Sequence, residues 1–189
     1  MTKVLAFAGS LRKSSWNKKL VAAAAEGARQ AGAEVTLIDI KDFPLPLYDG
    51  DIEANEGLPA NALKLKELFK SHNALLIASP EYNSHYSGVL KNLIDWVSRP
   101  QPGEKPLEAF RGKPVAIMGA SPGAKGAMRM LPHLRDLLLN IQMHVLPGMY
   151  GLAGAGEAFD DEGQLRDEKV AGLVKGLGQS VVDMAKRLA

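Results

Sequence analysis

Residues 74–88 read Ala-Leu-Leu-Ile-Ala-Ser-Pro-Glu-Tyr-Asn-Ser-His-Tyr-Ser-Gly. The first five are wholly apolar. They lack the alternation of a half-exposed strand and the length of a helix, so they predict a central strand covered on both faces. The polar turn that follows carries Pro80 and ends at Gly88. Beyond it Val89, Leu90, Leu93, Ile94 and Val97 recur at helical spacing, with Pro100 and Pro102 past the end of that helix.

The same alternation extends outward in both directions. Lys3–Ala8 is a buried strand ended by Gly9, and Asn17–Ala31 places Leu20, Ala24, Ala28 and Ala31 on one helical face before Gly32. Glu34–Asp39 alternates polar and apolar residues, as an edge strand does. A Pro- and Gly-rich segment through residues 43–59 is too long for a mere connector, and its length predicts a functional or interface role. Asn61–Lys70 is helical. Val115–Met118 is a fourth strand, and Gly119–Gly126 a glycine-containing loop. A helix then runs to about Asn140, and Pro132 predicts a kink or restart within it. Met143–Leu146 is a short fifth strand, and apolar residues from Val170 to Leu188 form a last helix along the sheet.

Five strands alternating with five helices, without repeats or linkers, imply one α/β domain over residues 1–189. The second and fifth strands read as the edges, which fits a five-stranded parallel sheet of order 2-1-3-4-5 with helices on both faces. Ligands of such sheets bind beyond the carboxyl ends of the strands. The chain has no cysteine, so thiol chemistry, disulfides and thiolate metal sites are excluded. A net charge of +2 is too weak a bias for nucleic acid. The apolar run at Val4–Ala8 is too short for a signal peptide and no stretch reaches membrane-spanning length, so we expect a cytoplasmic protein without membrane partners.

Three loops then carry the chemistry. Gly9-Ser10-Leu11-Arg12-Lys13-Ser14-Ser15-Trp16-Asn17 lies between a strand and a helix amino end, where free N–H groups and the helix dipole favour an anion. It is neither a Walker loop nor a dinucleotide fingerprint. On local grounds it is equally a serine-capped helix with solvated basic residues. Pro80-Glu81-Tyr82-Asn83 offers amides, an aromatic face and a carboxamide, or else a plain polar turn. Ser121, Gly123 and Gly126 punctuate the third loop, where small residues allow close backbone approach. Together they suit a ligand with a phosphate at one end and a hydrogen-bonding ring at the other. His72, His133 and His144 show no metal-ligand spacing, and no metal site is expected. Trp16 and His85 are residues either of a substrate wall or of ordinary packing and turn structure.

At these residues the sequence resembles the NADPH-dependent FMN reductase family of flavodoxin-like quinone, chromate and azo-dye reductases. The similar features are Gly-Ser-x-Arg-x-x-Ser-x-Asn at 9–17, Pro-Glu-Tyr-Asn at 80–83 and Leu-Lys-Asn-x-Ile-Asp-Trp at 90–96. The resemblance implies a flavodoxin-like three-layer sandwich that binds FMN. It implies that Ser10, Arg12, Ser15 and Asn17 hold the FMN phosphate, that Pro80, Glu81, Tyr82 and Asn83 line the ribityl chain and ring, and that Ser121, Gly123 and Gly126 border the ring. It further implies electron flow from NADPH or NADH through FMN to a small acceptor, a quinone before free flavin, azo dye or chromate. Ping-pong kinetics follow, and no catalytic side chain is required. The chain departs from the family pattern at His85-Tyr86-Ser87 and at Ala127, where a second glycine is common. The runner-up is an FMN-binding electron carrier of the flavodoxin type, although such carriers are acidic and this chain is slightly basic. The apolar Leu45-Pro46-Leu47-Tyr48-Asp49 patch predicts a homodimer or homotetramer unless the segment folds back.

Overall fold

The computed structural model describes all 189 residues. Six strands and six α-helices follow one another as β1 (Lys3–Ala8), α1 (Trp16–Gln30), β2 (Glu34–Ile38), α2 (Gly50–Glu56), α3 (Ala60–Ser71), β3 (Ala74–Ala78), α4 (Gly88–Val97), β4 (Pro114–Ala120), α5 (Met130–Asn140), β5 (His144–Val145), β6 (Tyr150–Leu152) and α6 (Glu168–Leu188). All strand pairs are parallel, in the order β2-β1-β3-β4-β5, with β6 also paired to β4. This is the flavodoxin-like order expected from the alternation.

Strand side chains alternate between two cores. Val4, Ala6 and Ala8 of β1 join the core under α1 and α6, while Leu5 and Phe7 join the one under α3, α4 and α5. The first core is lined with small residues, including Ala74 and Ala78 of β3 and Ala116 and Ala120 of β4. Its helices pack correspondingly close. A Cβ on Gly27 of α1 would lie 2.0 Å from the Lys175 carbonyl oxygen, and one on Gly178 of α6 would lie 1.9 Å from that of Ala24. Only glycine permits this crossing.

Three sequence expectations are corrected. The fifth strand shrinks to His144–Val145, and β6 takes up the same edge of β4 farther on, opposite Met118–Ala120. Pro147, with no N–H to give a ladder, lies between them. Second, α5 begins at Met130, so Pro132 sits in its first turn, where a missing N–H costs no intrahelical bond and no kink arises. Third, Leu173, one of the apolar residues at helical spacing that the sequence counts on the packed face of the last helix, is 54 % exposed and lies off that face.

The Pro-rich segment folds back, the arrangement the sequence left open as the alternative to an exposed apolar patch. It contains a 3-10 turn at Ile40–Asp42 and the exposed α2. The Asn92 side chain donates to the Pro46 carbonyl (2.8 Å) and accepts from the Tyr48 N–H (2.8 Å). The Trp96 indole donates to the same Pro46 carbonyl (2.9 Å) and meets the Tyr48 ring edge-on. The apolar patch is thereby reduced mainly to Leu47, which stays 82 % exposed.

Candidate functional site

The carboxyl ends of β1, β3 and β4 deliver three turns to one rim of the sheet, and residues from all three line a single cleft of about 320 Å³. The first turn contributes Ser10, Arg12, Ser15, Trp16 and Asn17. Pro80, Glu81 and Tyr82 come from the second, and Ala120, Ser121 and Pro122 from the third. Eight of the eleven residues singled out in the sequence therefore meet here. Asn83, Gly123 and Gly126 do not line the cleft.

The phosphate-loop residues divide by what their side chains already do. Asn17 is 2 % exposed, and its amide donates to the Ala120 carbonyl (3.1 Å) while accepting from the Ala120 N–H (2.8 Å). It clamps the first turn to the end of β4. Ser15 occupies the N-cap position of α1 in extended conformation, yet its side chain caps nothing. The first N–H groups of α1 and the Ser15 hydroxyl are thus left for a guest. Arg12 lays its guanidinium over the Trp16 ring, 5.3 Å from the centroid, and forms no ion pair. Hydroxyls, an arginine and an uncapped helix end on one wall make a donor set without an acid, which suits a phosphate.

The second turn is held by Ser79 and Ser87, which sequence reasoning missed as tethers, and by Glu81 in a task it did not foresee. Ser79 Oγ accepts from the Ser87 N–H (3.2 Å), and Ser87 Oγ donates to the Gly9 carbonyl (2.6 Å) while capping Leu90 N–H (3.3 Å). Glu81 turns its carboxylate onto the Arg129 and Met130 N–H groups (3.1 and 3.0 Å), so its side chain caps the start of α5. Tyr82 and His85 exchange both backbone hydrogen bonds around Asn83 and Ser84, whose φ angles are 51° and 65°. This is a two-residue hairpin with both central residues left-handed. Asparagine tolerates that region; for Ser84 it is strained, as backbone near ligand sites often is. The tip leaves Tyr82 53 % exposed at the cleft. His85 stacks on His133 of α5 (centroids 4.5 Å) and meets the Tyr86 ring at a tilt (4.2 Å). Burial pushes the Tyr86 phenol above its ordinary value, with a smaller opposing effect from Lys91.

The third turn is shaped by its contact with β6. Ser121 donates its N–H to Leu152 and accepts from Ala155 (3.0 and 3.1 Å). Gly126 has φ 56°, and a Cβ there would lie 2.6 Å from the Ala153 nitrogen, so its glycine answers to packing against the chain after β6. Ala127 follows with φ 64°, the conformation a glycine adopts without strain. A mouth bordered by the backbone of the second and third turns, with one exposed aromatic beside the phosphate wall, fits a sugar-like chain and a planar ring, so the residues present fit FMN.

Comparison with known proteins agrees with FMN as the cofactor. The family model for NADPH-dependent FMN reductase matches residues 2–157. An NAD(P)H-dependent FMN reductase of Pseudomonas aeruginosa is 39% identical over 188 residues, spanning 98% of this chain and 96% of that one. A quinone reductase of Pseudomonas putida is 39% identical over 162 residues, spanning 85% of this chain and 82% of the other. Among solved structures, the flavoenzyme NAD(P)H:(acceptor) oxidoreductase FerB of Paracoccus denitrificans superposes with a TM-score of 0.80 at 33% identity, covering 99% of this chain and 98% of that one.

Proposed function

The chain belongs to the NADPH-dependent FMN reductase family, and from that premise we propose how its cleft works. It is an FMN-dependent NAD(P)H oxidoreductase rather than a flavodoxin-type carrier. FMN held in this cleft would supply the two-electron redox chemistry between nicotinamide and acceptor. The protein's part is binding and orientation. Ser10, Ser15, Arg12 and the open N–H groups of α1 hold the phosphate. Asn17 acts one step back, fixing the first turn against β4. Pro80, Glu81 and Tyr82 present backbone and an aromatic face to the ribityl chain and ring, with Ser121 opposite and Asn83, Gly123 and Gly126 shaping the turns.

The observation that carries the assignment is the uncapped amino end of α1 opening into the same cleft as the second and third turns. A quinone is the acceptor class we favour, as in the relatives named quinone reductase. We take the whole chain as one working domain, in the cytoplasm. No helix is long and apolar enough to cross a membrane. A homodimer or homotetramer that covers Leu47 completes the reading, and sedimentation giving a monomer mass at all concentrations removes it.

The test is anaerobic. NADPH or NADH, each mixed with FMN-loaded protein, bleaches the flavin absorbance within a turnover, and a quinone pulse restores it. Flavin that stays yellow with both nucleotides, while a protein reductant bleaches it, returns the chain to the electron carriers.

A further inference from the structure

A second cavity, on the other side of the first turn from the phosphate cleft, has no part in the reading above. It measures about 230 Å³, walled by Phe43 and Leu45 of the Pro-rich segment, Val89 and Leu93 of α4, and Leu11 of the first turn, with exposed Lys41 at its edge. Its roof is fixed, because Asn92 and Trp96 hold the segment at Pro46 and Tyr48. The cavity is therefore formed before any guest arrives, which lowers the entropic cost of binding.

We propose that this cavity seats the adenine end of the nicotinamide donor, with Lys41 reading the ribose 2′-phosphate of NADPH. The inference rests on the reductase reading. None of the residues from the second turn's hairpin or from the third turn lines the cavity. A molecule lodged there places a non-reacting part in it, and every NAD(P)H carries such a part, its adenosine. The volume admits a bicyclic heterocycle and excludes a whole dinucleotide. Apolar walls that include the Phe43 ring suit a purine face. Charge selects the phosphate. Burial alone would push the Asp39 carboxyl up, but hydrogen bonds from Lys18 and from the Lys41 N–H outweigh it and hold that carboxyl below its ordinary range. The Lys18 ammonium is thereby engaged, whereas the Lys41 ammonium, although its charge is felt by Asp39, joins no ion pair. Asp42, next in the chain, is exposed to solvent. An exposed ammonium beside an apolar slot is a point-charge reader for a terminal phosphate.

The experiment is calorimetric titration of FMN-loaded protein with adenosine 2′,5′-bisphosphate and with ADP, probes that carry no nicotinamide. The bisphosphate should bind about tenfold more tightly than ADP, the ratio expected of one exposed charge contact. In Lys41→Glu that preference disappears, and KM for NADPH rises while KM for NADH holds. Val89→Trp, which fills the slot, weakens both probes and leaves FMN retention intact. Equal binding of the two probes by wild type and Lys41→Glu, with NADPH still bleaching the flavin, overturns the inference and spares the reductase reading. The inference is equally overturned if Val89→Trp harms only quinones with long alkyl tails, since the slot then serves the acceptor. Flavin that neither nucleotide bleaches would instead bring down the underlying function.

Discussion

The amino ends of α1 and α4 are alike in sequence and opposite in use. Each helix follows a strand of the same sheet through a turn, each has no acid in its first turn, and each has a serine at its N-cap. Even the backbone agrees, with φ −77° and ψ 123° at Ser15 and φ −66° and ψ 146° at Ser87. Ser87 gives its hydrogen to the Gly9 carbonyl and its lone pair to Leu90 N–H, and is 2 % exposed. Ser15 gives neither to the protein's helix. One serine closes its helix and ties two turns together; the other leaves its helix open. The difference lies in the neighbours, because only Ser87 faces a carbonyl that orients its hydroxyl. An unfinished helix end beside a finished one marks where a ligand is to complete the structure.

The comparison breaks most visibly at Ser87. Ser87→Ala removes a cap worth about 1 kcal/mol. It also strands the buried Gly9 carbonyl, at about 1–3 kcal/mol. We expect a loss of about 3 kcal/mol in urea unfolding of FMN-free protein, with weakened FMN retention as a consequence. A loss below about 0.5 kcal/mol means the Ser87 bridge is not formed in solution.

Arg12→Ala should do the reverse. Its cation–π contact with Trp16 is worth no more than about 1 kcal/mol, so stability of FMN-free protein moves little. Losing a charge-assisted bond to phosphate costs about 2 kcal/mol, a rise of roughly thirtyfold in the FMN dissociation constant by fluorescence titration. An unaltered FMN affinity takes Arg12 out of the phosphate site.

What the sequence made legible follows the same division between local and distant causes. The strands β1, β3 and β4 were readable because burial on both faces leaves continuous apolar runs, and the three turns were readable because they follow those runs. Helix α2 was not, since it buries no residue and so carries no periodic face. It is held instead by the Asp49 cap and by the Tyr48 hydroxyl donating to Glu53 (2.7 Å). Strand β6 was hidden by its three residues, one of them glycine. Within the site, the residue types were foreseen but not their tasks. Asn17 and Ala120 are 103 positions apart, Ser87 and Gly9 are 78 apart, and Glu81 reaches Met130 across 49. Nothing in a local window tells a clamp from a ligand contact when both are made by the same side chain types.

Ser15→Ala is the smallest perturbation and bears most directly on the contrast. An N-cap serine ordinarily contributes about 1 kcal/mol to its helix, and alanine removes that contribution. Because Ser15 caps nothing, FMN-free protein should lose less than about 0.5 kcal/mol. One neutral hydroxyl contact to a phosphate is worth about 1 kcal/mol, so FMN affinity should fall roughly fivefold. The thermal midpoint of FMN-loaded protein then drops by the linkage term alone, and the drop shrinks as free FMN is raised. If FMN-free Ser15→Ala is destabilised as much as an ordinary capping mutant, Ser15 closes its helix when no ligand is present. The two amino ends would then differ in occupancy and not in construction, and α1 would have to be uncapped by its guest on every binding event.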